Sequence, residues 1–242
     1  MVGHVAATMP QTDVRGLILR CREARDRGRD WILAHLDPHG KPVGAETRQC
    51  YYRVPWTLAV VGEQDTAATV MAWIEKHALT PDGDLADGAP RNGFIAQSAS
   101  YPLAIMGMGA VLLGREDLAG KIMDTLRDFQ DPASGGAYSE RPEVRTSYRQ
   151  DLYPTAQLGM TALTAGRLDM AEGAFMWIKQ LYSWQPELPH RLYTTITPDG
   201  LLLDPSPDLE WMAITDFKKP RQAFYNPGIA AAFLARYFMT TG

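Results

Sequence analysis

A carboxylate that interrupts a repeated motif is the first candidate for chemistry in this sequence. The form R-Q-x-x-Y occurs three times, beginning at Arg48, Arg149 and Arg221. Only the middle copy has a carboxylate inside the motif, at Asp151. A partly buried carboxyl group has a raised pKa and can act as a general acid or base near neutral pH. We therefore predict that Asp151 is catalytic; the structural alternative is a helix N-cap or a salt bridge to Arg149.

Other polar and aromatic residues lie in or near the same motif copies. Tyr148 and Tyr101 are predicted to relay a proton or to orient the substrate, and Arg53 or Arg149 to bind an anionic substrate group. Aromatic rings could shape a pocket and stabilise a cation through their faces. The predicted substrate-binding residues are Tyr52, Arg53, Trp56, Gln97, Arg149, Tyr153, Asp208, Glu210, Trp211, Tyr225 and Asn226. The alternative is architectural: the recurring Gln caps a helix, Arg pairs with a carboxylate, and Tyr packs under a loop.

A repeat of 52 residues (114 − 62 and 166 − 114) positions these candidates. Its most regular members are the glycines Gly62, Gly114 and Gly166 and the aspartates Asp65, Asp117 and Asp169. An apolar, uncharged segment precedes the second and third glycines, and an amphipathic segment follows each. The first kind of segment is typical of a buried helix and the second of a half-exposed helix. Each repeat is therefore predicted to be a helical hairpin, with Gly at the C′ position of the inner helix and Asp as the N-cap of the outer helix.

The interval between the last two motif copies is longer than this period. Gln150 and Gln222 are 72 residues apart (222 − 150), about 20 more than the repeat. The extra chain, roughly 183–220, is rich in proline, and its alternating residues within 190–204 indicate a β-hairpin. Long insertions in compact domains are often lids or binding loops. We expect this insertion to be a lid whose carboxylates face Asp151; the alternative is a solvated loop.

Stacked hairpins of this kind predict an all-α fold. We expect one domain over 1–242, an incomplete α/α toroid of about four to five helical hairpins, with the proline-rich insertion holding a short β-hairpin. Turns after the outer helices are expected at 37–40, 81–83, 131–136 and 198–200. Inner helices of a toroid begin at one rim, so the R-Q-x-x-Y copies would surround a single mouth.

The bulk composition excludes several classes of protein. The chain has 242 residues and a net charge of −4, with no basic stripe for nucleic acid. It has no apolar run of the roughly 20 residues that a membrane span needs. Cys21 and Cys50 have neither metal-ligand nor disulfide-framework spacing, so we expect a reducing cytoplasm, no metal and no cofactor. Residue usage is typical of a bacterial protein, and a homodimer covering the end helices is a further expectation.

Buried and amphipathic helices that alternate in this way, with glycine-rich turns such as Ser134–Tyr138, resemble the α/α toroids of the terpenoid cyclase and protein prenyltransferase superfamily. The Asp-x-Asp-Asp motif, the zinc ligands and the aspartate-rich magnesium motif of its members do not occur in this sequence. The resemblance implies that Asp151 is the acid at the mouth of the cavity. The same toroid also serves carbohydrate epimerases, glycosidases and polysaccharide lyases, so fold alone does not decide function.

Three functional hypotheses remain open. The first is a cofactor-independent biosynthetic cyclase, lyase or isomerase that acts on a small, largely apolar terpenoid- or polyketide-like substrate by general acid–base catalysis. The second is a carbohydrate-active toroid with a carboxylate pair, Asp151 with Asp208 or Glu210. The third is a non-catalytic helical-repeat scaffold, which expects Asp151 to be engaged in a salt bridge and no closed pocket to exist.

Overall fold

The computed structural model describes residues 13–44, 50–86 and 98–242. It is mostly helical, with 60% helix and 9% strand, which agrees with the predicted all-α class. The helices are α1 (Val14–Ala34), α2 (Val54–Val60), α3 (Gln64–His77), α4 (Ser100–Leu112), α5 (Glu116–Phe129), α6 (Leu152–Thr164), α7 (Leu168–Ser183), α8 (Pro207–Ala213) and α9 (Tyr225–Thr241). Short 3₁₀ turns lie at Tyr51–Arg53 and Pro142–Val144. Among these helices, none has the length and apolar composition that crossing a membrane would require.

Three helical hairpins form the centre of the chain: α2–α3, α4–α5 and α6–α7. The inner helices α2, α4, α6 and α9 pack side by side in chain order. In α4 the whole stretch from Ser100 to Ala110 is buried, whereas α5 buries only the stripe that includes Leu118, Ile122 and Leu126. The predicted division into buried and half-exposed helices is confirmed for this pair.

The recurring glycines end the inner helices as predicted. Gly62, Gly114 and Gly166 have positive φ values of 95°, 68° and 70°, which cost glycine little because it lacks a Cβ. In the second repeat, Gly114 N–H donates to Val111 O (3.0 Å) and Arg115 N–H to Ala110 O (2.9 Å). The same pair of bonds closes the other two copies. This is the Schellman motif, which satisfies the last carbonyls of a helix.

The recurring aspartates do not have the predicted N-cap role. The outer helices begin two residues earlier than expected, so Asp65, Asp117 and Asp169 lie inside the first turn, and the capping residues are Glu63, Arg115 and Arg167. No capping side chain of these three helices binds a backbone amide. The Schellman turn explains the difference, because it brings the chain into the next helix only two residues after the glycine. The aspartates still stabilise these helices, because their negative charges lie near the positive N-terminal end of the helix dipole.

Capping residues of the outer helices also connect successive repeats. Arg115 pairs with Glu75 on the preceding outer helix (3.0 Å), and Arg167 pairs with Asp124 in the same way (3.4 Å). At the start of the array, Glu63 pairs with Arg29 on α1 (3.7 Å), with the charges exchanged. Helix α1 therefore occupies the position of an outer helix, although none of its residues is buried.

The predicted turns after the outer helices are confirmed at the first three positions. Each has an isolated antiparallel bridge, as between Gln130 and Ala137, and a glycine with positive φ. Each glycine lies against the backbone of the next outer helix: a Cβ on Gly135 would come within 2.1 Å of Gly173 O. The fourth expected turn, 198–200, does not follow an outer helix; it connects two strands of the insertion.

The insertion contains strands of two small antiparallel sheets. Its strands are β2 (Arg191–Tyr193), β3 (Thr195–Thr197), β4 (Gly200–Leu201) and β5 (Ile214–Asp216). β3 and β4 form the predicted hairpin, but β2 pairs with β5 instead of joining it. β3 also pairs with β1 (Gln150–Asp151), the strand that precedes α6. The insertion is therefore attached directly to the motif copy that contains the unusual carboxylate.

Candidate functional site at the tyrosine row

Four tyrosines from four successive repeats form one row. Tyr52, Tyr101, Tyr153 and Tyr225 each lie at or just before the first turn of an inner helix. Successive rings meet edge to face, with centroids 6.3, 5.5 and 6.2 Å apart, an arrangement that aromatic quadrupoles favour. The first three rings are buried, whereas Tyr225 is 40% exposed. The recurring tyrosine thus brings the starts of four inner helices together.

Arg53 places a positive charge on this tyrosine row. Its guanidinium lies 5.4 Å from the ring centroid of Tyr52 and 5.6 Å from that of Tyr101, and Nη2 donates to the Tyr101 hydroxyl at 3.2 Å. The side chain is exposed. Across residues 13–44, 50–86 and 98–242 it forms no ion pair with a carboxylate. A guanidinium in this setting is suited to bind an anionic ligand group.

The tyrosines of the row are weak acids in their folded environment. Burial raises the pKa of Tyr52 to about 12, although the charge of Arg53 opposes that shift. Burial likewise raises the pKa of Tyr101, again against Arg53, and that of Tyr153 well above its usual value. These phenols are protonated at neutral pH, so they can donate a hydrogen bond or a proton but do not serve as bases.

Asp151 directly precedes the helix that carries Tyr153 and has donors on both carboxylate oxygens. Oδ2 accepts hydrogen bonds from Arg149 Nε (2.9 Å) and from the Ser139 hydroxyl, and Oδ1 accepts from Thr195 Oγ1 (2.6 Å). The residue is only 1% exposed. It precedes α6 without capping it through its side chain. The salt bridge to Arg149 is therefore present, and Asp151 occupies the N-cap position without a capping hydrogen bond from its side chain, while the acid–base role stays a prediction.

The insertion gives a structural reason for a carboxylate in this motif copy alone. Asp151 pairs with Thr195 across β1 and β3, and the next amide, Leu152 N–H, donates to Thr194 O at 2.8 Å. Ser139, in the segment after α5, donates to the same carboxylate. Asp151 therefore joins three segments that are distant in the chain. Ser139 and Thr195 have no recognisable spacing in the sequence, so sequence reasoning misses both.

The recurring glutamine is held in the structure by hydrogen bonds, although not as the helix cap that the alternative interpretation expected. Gln150 Oε1 accepts hydrogen bonds from Trp177 Nε1 (2.6 Å) and Ser134 Oγ (3.0 Å), while Nε2 donates to Asp131 Oδ2 (3.1 Å). It is buried. In the last copy, Gln222 Oε1 accepts from the Asp216 amide at 3.2 Å. Gln97 lies outside the described residues.

Several predicted site residues lie away from the row. Tyr148 is 51% exposed and packs edge to face on Tyr138, with 6.1 Å between centroids. Trp56 is half-buried against the hydrophobic core. Glu210 and Trp211 are exposed and line a pocket of about 260 Å³ on the insertion. The structure therefore does not join these four residues to the row.

Two further predicted residues have closer connections to the site. A hydrogen bond from Ser206 lowers the pKa of Asp208, with a smaller contribution from the positive charge of Arg149, so this exposed carboxylate lies within electrostatic reach of the Asp151 partner. Asn226 directly follows Tyr225 and is fully buried. Its Nδ2 donates to Met212 O at 2.9 Å, whereas its Oδ1 has no hydrogen-bond partner in the described part of the chain.

The row offers protonated phenols and one cation, and the described residues contain no group of three or more His, Cys, Asp or Glu side chains placed to hold a metal ion. No protein-family model matches this chain, and the search of curated proteins finds no match either.

Proposed function

We propose that this chain is an arc of an α/α toroid and an enzyme that binds a small, largely apolar, anionic substrate at the tyrosine row. It would catalyse a cyclisation, elimination or isomerisation by proton transfer. The observation that carries the proposal is the contact of Arg53 with Tyr101, at 3.2 Å, without a carboxylate partner in the described residues. A cation next to a proton donor on an apolar row is suited to orient a substrate and to stabilise developing negative charge.

Support for the arc comes from the repeated packing. The inner helices α2, α4, α6 and α9 adjoin in order, and outer helices contact one another through equivalent capping residues, Glu63, Arg115 and Arg167. The same contact made at each step turns successive hairpins by a similar amount, which curves an array of helical repeats. In a toroid this curvature would place the tyrosine row at the mouth.

The raised pKa of a tyrosine in the row limits the kinds of substrate group that it can protonate. Tyr101 has a raised pKa, so it is too weak an acid to protonate an isolated carbon–carbon double bond. It is well matched to an enolate-like oxygen, because proton transfer is efficient between groups of similar pKa. We therefore favour a polyketide-like substrate with a carbonyl group. Tyr101 would donate its proton to the carbonyl oxygen while a base, for which Asp151 is the predicted residue, removes a proton from the adjacent carbon, whose electron pair moves toward the carbonyl. Arg53 would bind the anionic group or stabilise the phenolate.

Ligand-induced thermal stabilisation tests this proposal. The probes are a medium-chain β-keto carboxylate, a polyene carboxylate without a keto group, and a linear oligosaccharide. A ligand at 100 times its Kd stabilises the native state by about 2.7 kcal/mol, which raises the Tm of a domain of this size by roughly 5 °C or more. We expect the β-keto carboxylate to produce this shift in the wild type and in the control Arg127→Gln, and to lose most of it in Arg53→Gln.

Tyr101→Phe separates binding from chemistry. We expect this variant to keep the thermal shift with the β-keto carboxylate and to lose conversion of the probe, followed by mass spectrometry. An equal shift in Arg53→Gln and the wild type would contradict the role of Arg53. A shift with the oligosaccharide alone would favour the carbohydrate-active alternative.

A scaffold function is supported by a different observation, the engagement of both Asp151 oxygens with Arg149, Ser139 and Thr195. This is the salt bridge that a non-catalytic repeat expects. If none of the three probes stabilises the protein or is converted, the scaffold becomes the better description.

A further inference from the structure

A groove on the outer side of the first repeat carries a surplus of positive charge. It lies between residues 37–41, the turn after α1, and one face of α3, and its volume is about 820 Å³. Its ionisable and aromatic lining residues are Asp37, His39, Lys41, Trp73, Lys76 and His77. We call it the α1–α3 groove. It shares no residue with the tyrosine row, so a ligand in this groove is independent of the proposed function.

The cations of this groove are not neutralised by neighbouring acids. Lys41 and Lys76 make no ion pair within the described ranges, and the one carboxylate in the lining is turned toward its own loop. Asp37 Oδ1 accepts from the amides of His39 (2.9 Å) and Lys41 (2.8 Å). The chain as a whole has a net charge of −4 and therefore repels anions on average. A local surplus of positive charge would attract anions to this groove in particular.

The groove also has an aromatic wall. Trp73 is half-exposed, with His77 tilted against it at 5.4 Å between centroids and Tyr51 meeting its edge at 6.2 Å. Tyr51 is fully buried and therefore supports the indole from inside the protein. A supported indole beside two lysines can stack on a planar ring while the lysines contact an anionic group.

The equivalent groove in the third repeat shows what distinguishes this one. It lies between residues 130–135 and α7 and has a volume of about 550 Å³. There Arg127 pairs with Asp169 at 2.9 Å, and Arg145 stacks on Tyr138 at 3.8 Å from the centroid. The tryptophan equivalent to Trp73 is Trp177, which is fully buried and bonded to Gln150. In that groove the cations are engaged and the indole is covered.

We propose that the α1–α3 groove binds a small anionic ligand that carries a planar aromatic ring, with a nucleoside phosphate as the representative chemistry. Trp73 would stack on the ring, and Lys41 and Lys76 would contact the phosphate. His39 and His77 add donors on either side. Such a site is not lined by the tyrosine row, so its ligand would be an effector or a second partner, not the substrate of that row.

Isothermal titration calorimetry with adenosine 5′-monophosphate, adenosine and inorganic phosphate tests the proposal on the full chain. We expect one molecule of the monophosphate to bind, with affinity at least about tenfold higher than that of adenosine or phosphate alone, because ring and anion contacts act together. The double variant Lys41→Gln/Lys76→Gln should weaken binding by about tenfold or more, since two charged contacts are lost. Trp73→Leu should weaken binding of the nucleotide but leave that of phosphate unchanged.

Arg127→Gln, in the equivalent groove of the third repeat, is the matched control and should bind the nucleotide like the wild type. Circular dichroism melting of each variant shows whether it is folded. Equal binding by wild type and the double lysine variant would overturn the site, as would the absence of binding by the folded wild type. Equal affinity for inorganic phosphate and the nucleotide would overturn the aromatic part of the proposal.

Discussion

Thr195 Oγ1 donates a 2.6 Å hydrogen bond to Asp151 Oδ1, and both residues are buried. This bond connects the insertion to the strand that begins the third inner helix. Because the bond lies inside the protein and its acceptor is charged, its loss leaves a carboxylate oxygen without a donor, which costs more than a neutral surface bond.

Thr195→Val, which keeps the shape of the side chain, should therefore lower the free energy of unfolding by about 2 kcal/mol. Urea denaturation measures the loss, and amide hydrogen exchange should show faster exchange across β3 and β4. The control is Thr240→Val, whose hydroxyl bonds an exposed turn of α9 and should change stability by less than about 0.5 kcal/mol. Equal stability of the Thr195 and Thr240 variants would mean that the hydroxyl does not hold the insertion.

Asp151→Asn should destabilise the protein by about 3 kcal/mol, because it leaves Arg149 without its carboxylate in a largely buried setting. Arg149 has a side-chain exposure of 14% and Asp151 of 1%. Asp128→Asn, at an exposed aspartate on α5, is the control and should be nearly neutral. The measurement is again urea denaturation.

The outcome for Asp151→Asn also bears on catalysis. A variant as stable as the wild type, but unable to convert a substrate that it still binds, would favour the predicted acid–base role. A strongly destabilised variant would favour the anchoring role instead.

Two glycines with similar positive φ values should lose different amounts of stability when each is replaced by alanine. Gly135 and Gly166 both have positive φ, 81° and 70°, so the left-handed backbone costs each alanine variant about 1 kcal/mol. Gly135→Ala would also place its Cβ within 2.1 Å of Gly173 O, whereas Gly166→Ala meets nothing within 4 Å. Gly135→Ala should therefore be the more destabilising by roughly 2 kcal/mol or more, since backbone must move to relieve the clash. Equal losses in thermal or urea unfolding would show that the turn does not pack on α7.

The repeated helical hairpins of this fold could be predicted from the sequence because local sequence patterns determine them. An apolar or amphipathic pattern fixes which helix is inner, and a glycine at the C′ position fixes where that helix ends. The predicted starts of the outer helices were wrong by two residues because Asp65, Asp117 and Asp169 resemble caps, whereas the Schellman turn leaves the capping position to the residue after each glycine. Capping propensity was overridden by turn geometry.

The candidate site could be predicted only in part, because only some of its residues belong to the repeat. The tyrosine row arises from a repeat in which one residue recurs at the start of each inner helix, so Tyr52, Tyr101, Tyr153 and Tyr225 could be predicted to converge. The partners of Asp151 could not, because Thr195 belongs to a non-repeating insertion and pairs with β1 through a sheet that has no periodic signal. Long-range pairing of short strands is decided by tertiary packing and not by local pattern.

Alkaline titration provides a direct test of the tyrosine row. Tyr52 has a folded pKa of about 12, raised by burial from an ordinary value of 10. The unfolded chain therefore loses this proton more readily than the folded chain, so the contribution of Tyr52 to stability is complete below about pH 10 and is lost as the pH rises toward 12. The absorbance of tyrosinate should show a late phase in which the tyrosines of the row ionise together with unfolding.

Two phenylalanine variants test whether Tyr52 belongs to this late phase. Tyr52→Phe should remove one residue from the late phase and shift the alkaline unfolding midpoint upward, because the unfolded chain then loses one ionisation that favours it. Tyr182→Phe, at a residue outside the row that is 67% exposed, is the control and should leave the late phase unchanged. If the two variants change the late phase equally, Tyr52 is not held in the buried row, and the site built on that row fails with it.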